Sequence, residues 1–134
     1  MDALAILVAS LVTSIIASLL VLIGDRLLKK WKLRQLFAPL GGRYAHHKRN
    51  GERIADWVTV LRYVGGTVLD SSGQSSELKR EWHGRVVMDE HIPDFGSGSY
   101  WHTDQQECGV HQIQRDPKSG DINVMWTNTS DPKG

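Results

Sequence analysis

Between Ala3 and Ile23 the chain carries no charged side chain. Leu, Ile, Val and Ala fill the run, with Ser10, Thr13, Ser14 and Ser18 interspersed. A backbone in hydrocarbon must satisfy its own hydrogen bonds, and a single segment does so as a helix. A run of this length at about 1.5 Å per residue spans roughly 30 Å, the thickness of a bilayer core. A cleavable signal peptide needs a basic start, a shorter apolar stretch and a small-residue cleavage site. Here the chain opens with Met1-Asp2, and Gly24-Asp25-Arg26-Leu27-Leu28 follows the run. The expectation is a single retained transmembrane helix.

Orientation follows from charge. Arg26, Lys29, Lys30, Lys32 and Arg34 all lie on the C-terminal side of the run. Basic residues flanking a span stay on the cytoplasmic side. The expected topology is single-pass in the inner (cell) membrane, with the N-terminus outside and the C-terminal part cytoplasmic. Leu27 to Phe37 continues the helix into the interface, where Trp31 suits the headgroup level and the lysines meet anionic lipid. Pro39, Gly41 and Gly42 end it. Residues 1–37 are therefore read as the anchor and 38–134 as a cytoplasmic domain.

The span also carries a pattern. Ser10, Ser14 and Ser18 recur every four residues, and Ala5, Ala9, Thr13 and Ala17 form the adjacent row. Four-residue spacing stacks side chains on one helix face. Small residues let two helices approach closely in lipid, so this face is expected to self-associate into a homo-oligomer.

After Gly42 the pattern changes to period two. Asp56 to Val64 is dense in β-branched and aromatic residues, Gly65-Gly66 reads as a hairpin turn, and Thr67 to Asp70 returns. Short strands are expected at Arg43 to His47, Ser99 to Thr103, Cys108 to Arg115 and Ile122 to Asn128, and a long one at Glu77 to Asp89. In the long one Trp82, Gly84, Val86 and Met88 alternate with Glu81, His83 and Arg85. Ser71 to Ser76 reads as a polar loop. Seven strands with short connections, and no helical period between them, predict an all-β domain. It is an antiparallel meander closing into a small barrel, behind one N-terminal transmembrane helix.

Charge and composition narrow the function. The first 37 residues hold five basic and two acidic side chains, a net of +3, while the eleven basic and thirteen acidic residues beyond leave −2. A near-neutral domain is poorly suited to general nucleic-acid binding, which runs on phosphate neutralisation. The single cysteine, Cys108, permits no internal disulfide and fits a reducing compartment. Adjacent His46 and His47 point to opposite faces of a strand, and His83, His91, His102 and His111 lack ligand spacing, so no metal site is expected. No nucleophile elbow is present. No cofactor and no catalytic residue are expected, and the protein reads as a non-enzyme.

The tryptophans remain. Trp57, Trp82, Trp101 and Trp126 fall in expected strands, where they could fill a small barrel or line a pocket for a flat ligand. Arg80 shares the Trp82 face, Asn128 shares the Trp126 face, and Tyr100 and His111 point inward. Arg80, Trp82, Tyr100, His111, Trp126 and Asn128 are the candidate ligand-binding residues, since an arginine among aromatics suits a phosphate-bearing base.

Short motifs carry a resemblance. Leu40-Gly41-Gly42-Arg43-Tyr44 resembles the L-x-G-x-[WY] opening of lipocalin-like barrels. Gly96-Ser97-Gly98-Ser99-Tyr100 and Gly109-Val110-His111 resemble their later strand pairs. Over the whole chain, a cytoplasmic barrel behind a membrane helix resembles the transmembrane β-barrel effectors of bacterial cyclic-oligonucleotide anti-phage signalling. That resemblance implies nucleotide binding, with a cyclic dinucleotide as ligand, oligomerisation in the membrane and a part in antiviral defence. Two readings stand: a membrane-anchored sensor whose barrel binds a small ligand, and a tethered scaffold whose barrel is fully packed.

Overall fold

A computed structural model describes residues 2–48, 50–103 and 107–128. The described chain divides into two units, residues 1–32 and residues 33–134. A long helix, α1 (Ala3–Phe37), begins in the first unit and ends in the second. Every described side chain from Asp2 to Lys32 is exposed. The helix is long and apolar enough to cross a membrane. Thr13 Oγ1 donates to the Ala9 carbonyl at 2.8 Å, Ser14 Oγ to Ser10 at 3.0 Å and Ser18 Oγ to Ser14 at 2.9 Å. The three hydroxyls are thereby satisfied within the helix.

The second unit is the expected β domain. Seven strands follow in chain order: β1 (Gly42–His47), β2 (Arg53–Gly65), β3 (Val68–Ser75), β4 (Arg80–Met88), β5 (Phe95–His102), β6 (Cys108–Arg115) and β7 (Ile122–Asn128). Each pairs antiparallel with the next, in the order β1 to β7. The sheet is an antiparallel meander curled into a half-barrel. Among the described residues β1 and β7 pair with no strand beyond β2 and β6, so these two strands are its edges. Gly66 at the β2–β3 turn has φ +55°, a conformation that costs glycine little.

Two stretches differ from the sequence reading. Ser71 to Ser75 is strand, not loop, and belongs to β3. Ser71, Gly73 and Ser75 are all buried on the concave face, where small side chains leave room for what lies across from them. A Cβ on Gly73 would sit 2.0 Å from Trp82 Nε1, so the indole covers that glycine. Gly96 and Gly98, which precede the strand expected from Ser99, lie within β5 for a similar reason: a Cβ on Gly96 would meet Met88 Sδ at 2.5 Å.

The core occupies one end of the concave face. Leu61, Leu69, Val86, Met88 and Ile113 supply its floor from β2, β3, β4 and β6. Phe37, in the last turn of α1, and Leu40, in the 3-10 turn Ala38–Leu40, close it at 0% and 2% exposure. Leu33, Tyr44, Tyr63 and Ile122 pack around them. Tyr44 Oη donates to the Leu40 carbonyl at 2.6 Å and fixes the turn on the sheet. Burying a phenylalanine is worth roughly 2–3 kcal/mol. Phe37, which the sequence assigns to the anchor, is thus a core residue of the β unit.

Candidate functional site

The other end of the concave face is polar and aromatic. Register puts Trp82 opposite His102, Tyr100 opposite Gly109 and His111 opposite Trp126. Directly opposed residues share a face, so β4 to β7 bring these side chains to one surface. Tyr100 and His111 rings lie 5.7 Å apart, and Trp82 stands edge-on to both at 6.3 and 6.4 Å. His102 stands edge-on to Tyr100 at 6.0 Å.

A hydrogen-bonded chain borders these rings. Arg80 Nη2 donates to Glu107 Oε2 at 2.7 Å, Asn128 Nδ2 donates to Glu107 Oε1 at 2.6 Å, and Tyr100 Oη donates to Asn128 Oδ1 at 2.5 Å. His102 Nε2 lies 3.9 Å from Glu107 Oε2. Glu107 therefore joins β4, β5 and β7. The Arg80 guanidinium, more than any other partner, holds the Glu107 carboxyl below the usual carboxylate range. Burial lowers the pKa of the His111 imidazole, which is 6% exposed, and so favours its neutral form. Burial raises that of the Tyr100 phenol, with smaller contributions from Glu107 and Cys108.

Ser71 Oγ and His102 Nδ1 are buried here without a hydrogen-bond partner among the described residues. Ser71 is 4% exposed, and its Oγ would lie 2.8 Å from a Cβ on Gly84. An unpaired buried hydroxyl costs about 1–3 kcal/mol. Chemically the surface offers donors, acceptors and ring edges. Among the described residues no three His, Cys, Asp or Glu side chains form a metal-holding group.

Of the six candidate ligand residues, five meet: Arg80, Tyr100 and Asn128 through the Glu107 chain, and Trp82 and His111 through their rings. Trp126 shares their face opposite His111 but is 63% exposed, and it makes none of the ring contacts given for the described residues. Arg80 is not an open cation site, because Glu107 already engages it. Glu107, His102 and Ser71 were missed. Alternation held the signal for two of them, since His102 is two residues from Tyr100, and Glu107 is in step with Gly109 and His111.

The small-residue rows of α1 remain on the exposed helix surface, where Ser18 borders two shallow, open depressions. One, of about 420 Å3, is lined by Ala17, Ser18, Val21, Leu22 and Asp25. The other, of about 300 Å3, is lined by Ser14, Ile15, Ser18, Leu19 and Leu22.

Compared with protein-family models, curated proteins and solved structures, the chain matches none.

Proposed function

We propose that this protein is a membrane-anchored, non-enzymatic sensor. On this reading α1 spans the inner membrane with its N-terminus outside, and the half-barrel lies in the cytoplasm. The polar end of its concave face takes a small ligand. The observation that carries the reading is the buried, unpartnered Ser71 Oγ and His102 Nδ1 beside the Trp82, Tyr100 and His111 rings. Polar atoms left unpaired in a rigid aromatic setting are suited to a ligand that supplies the missing bonds.

The Arg80–Glu107 pair bears on ligand class. A cyclic dinucleotide, the ligand implied by resemblance to the anti-phage effectors, has to win Arg80 from Glu107 or bind beside an already neutralised pair. A flat ligand of low charge meets no such competition. The small-residue face of α1, with its hydroxyls satisfied inside the helix, supports self-association by close packing rather than by hydrogen bonds across the contact.

Scaffolding is the second reading. It is favoured by the Glu107 chain, which ties Arg80, Tyr100 and Asn128 to one another within the protein. Calorimetry on the full chain in nanodiscs, against a panel of cyclic dinucleotides and neutral heterocycles, separates the two. Sensing predicts a binding heat that Trp82→Ala weakens at least about ten-fold, or 1.4 kcal/mol. No heat with any member favours the scaffold. A reporter fused after Gly134 should read cytoplasmic in the same strain, and a periplasmic reading overturns the orientation.

A further inference from the structure

The two edges of the half-barrel are built differently. Near the β1 edge lie Arg43 and Lys48, and its register shifts between Ala45 and His47. Charge and irregularity are what keep an edge strand from pairing with another chain. β7 has neither. Ile122 to Asn128 contains no charged residue, and its pairing with β6 is regular throughout. Val124, Met125 and Trp126 are 47%, 68% and 63% exposed.

The hydrogen bonds show which β7 groups face outward. Asp116 N–H donates to the Asp121 carbonyl at 2.8 Å, in step with the β6–β7 register. Hydrogen-bonded pairs alternate along an antiparallel ladder, so Asn123, Met125 and Thr127 bond to β6. His102 N–H donating to the Glu107 carbonyl at 2.9 Å gives the same phase from the other side of β6. The backbone groups of Ile122, Val124, Trp126 and Asn128 are thus directed to the open edge, and these residues also carry the concave-face side chains.

We propose that β7 is the docking edge for a second copy of this chain, paired antiparallel about a two-fold axis through Met125. This register sets Val124 against the partner's Trp126 and Ile122 against the partner's Asn128, with the reciprocal pairs. Every outward-directed residue of β7 then meets another outward-directed one. A strand without charge pairs with itself free of like-charge repulsion. The axis is perpendicular to the sheet, so both concave faces open to the same side. The partner's Val124 and Trp126 flank Trp126, the candidate site residue that the single chain leaves uncovered. Seven residues a side is small beside the roughly 20–30 of a standard interface. The pairing therefore rests for its strength on the membrane anchoring proposed above, which raises the local concentration.

The test is disulfide cross-linking of the full chain in native membranes, in a Cys108→Ser background. Met125→Cys is expected to cross-link with itself. Asn123→Cys and Thr127→Cys are expected to cross-link when co-expressed and not alone. Each lies roughly 13 Å along the strand from its own counterpart, beyond the about 7 Å a disulfide tolerates. Val124→Pro removes only an outward N–H and is expected to abolish the Met125→Cys dimer with the melting temperature kept. Met125→Cys cross-linking no better than Val87→Cys on β4, or equal yields from mixed and single variants, would overturn the pairing. The membrane fraction is assayed in the same samples. A soluble chain overturns the anchoring, and the same cysteine pairs then read the pairing in solution.

Discussion

The two ends of the concave face share one sheet and one alternation, yet they are finished differently. At one end Leu61, Leu69, Val86, Met88 and Ile113 are covered by Phe37 and Leu40. At the other, Trp82, Tyr100 and His111 meet the Glu107 chain, and polar atoms remain buried and unpaired. Covering an apolar floor needs only side chains of the right volume. A polar floor needs partners, and the chain supplies some and leaves Ser71 Oγ and His102 Nδ1 without one among the described residues. The difference separates the part that holds the fold from the part that we propose takes a ligand.

The largest effect that sharpens this comparison is at the sealed end. Phe37→Ala should cost about 3–5 kcal/mol, the usual loss for a fully buried phenylalanine. Denaturant titration of the detergent-solubilised chain measures it. A loss below about 1 kcal/mol would mean that Phe37 is not the plug the comparison requires.

Next is Gly73→Ala at the open end. The new methyl meets the Trp82 indole, and overpacking of this kind costs about 1–3 kcal/mol. Because Trp82 must move, its fluorescence should shift along with stability. Unchanged emission would show that the indole does not rest on Gly73.

The smallest effect is on pH dependence. Burial keeps the folded-state pKa of His111 below its ordinary 6.5. Below pH 6.5 the unfolded chain therefore binds a proton that the folded chain does not. Stability is complete above pH 6.5 and falls as pH drops from there toward the lowered value. The Glu107 carboxyl, held low by Arg80, acts in the same direction further down, below its ordinary 4.5. His111→Phe should flatten the upper part of the decline. A variant with the wild-type slope would show that the open end does not titrate in this way.

Much of this was legible in the residues. The uncharged run defined α1, and alternation at Trp82, Val86 and Met88 defined the buried face of β4, because one-sided burial writes itself as period two. Ser71 to Ser75 was not legible. Its composition is that of a loop, and only the indole of Trp82 across the sheet makes small residues a requirement of the strand. Phe37 was equally hidden, since nothing local distinguishes an apolar residue in lipid from one in a core. At the candidate site, Arg80 could be placed on the Trp82 face, but its partner Glu107 lies just outside β6, and long-range ion pairing leaves no local pattern.

The most direct measurement of the central claim is a histidine-ring NMR titration of the full chain in nanodiscs against the ligand panel. One panel member is expected to move the ring signals of His102 and His111, at the open end of the concave face. Those of His83, on the convex face, and His91, in the β4–β5 connection, should stay in place. No movement with any member, or equal movement at His83 and His91, would contradict it.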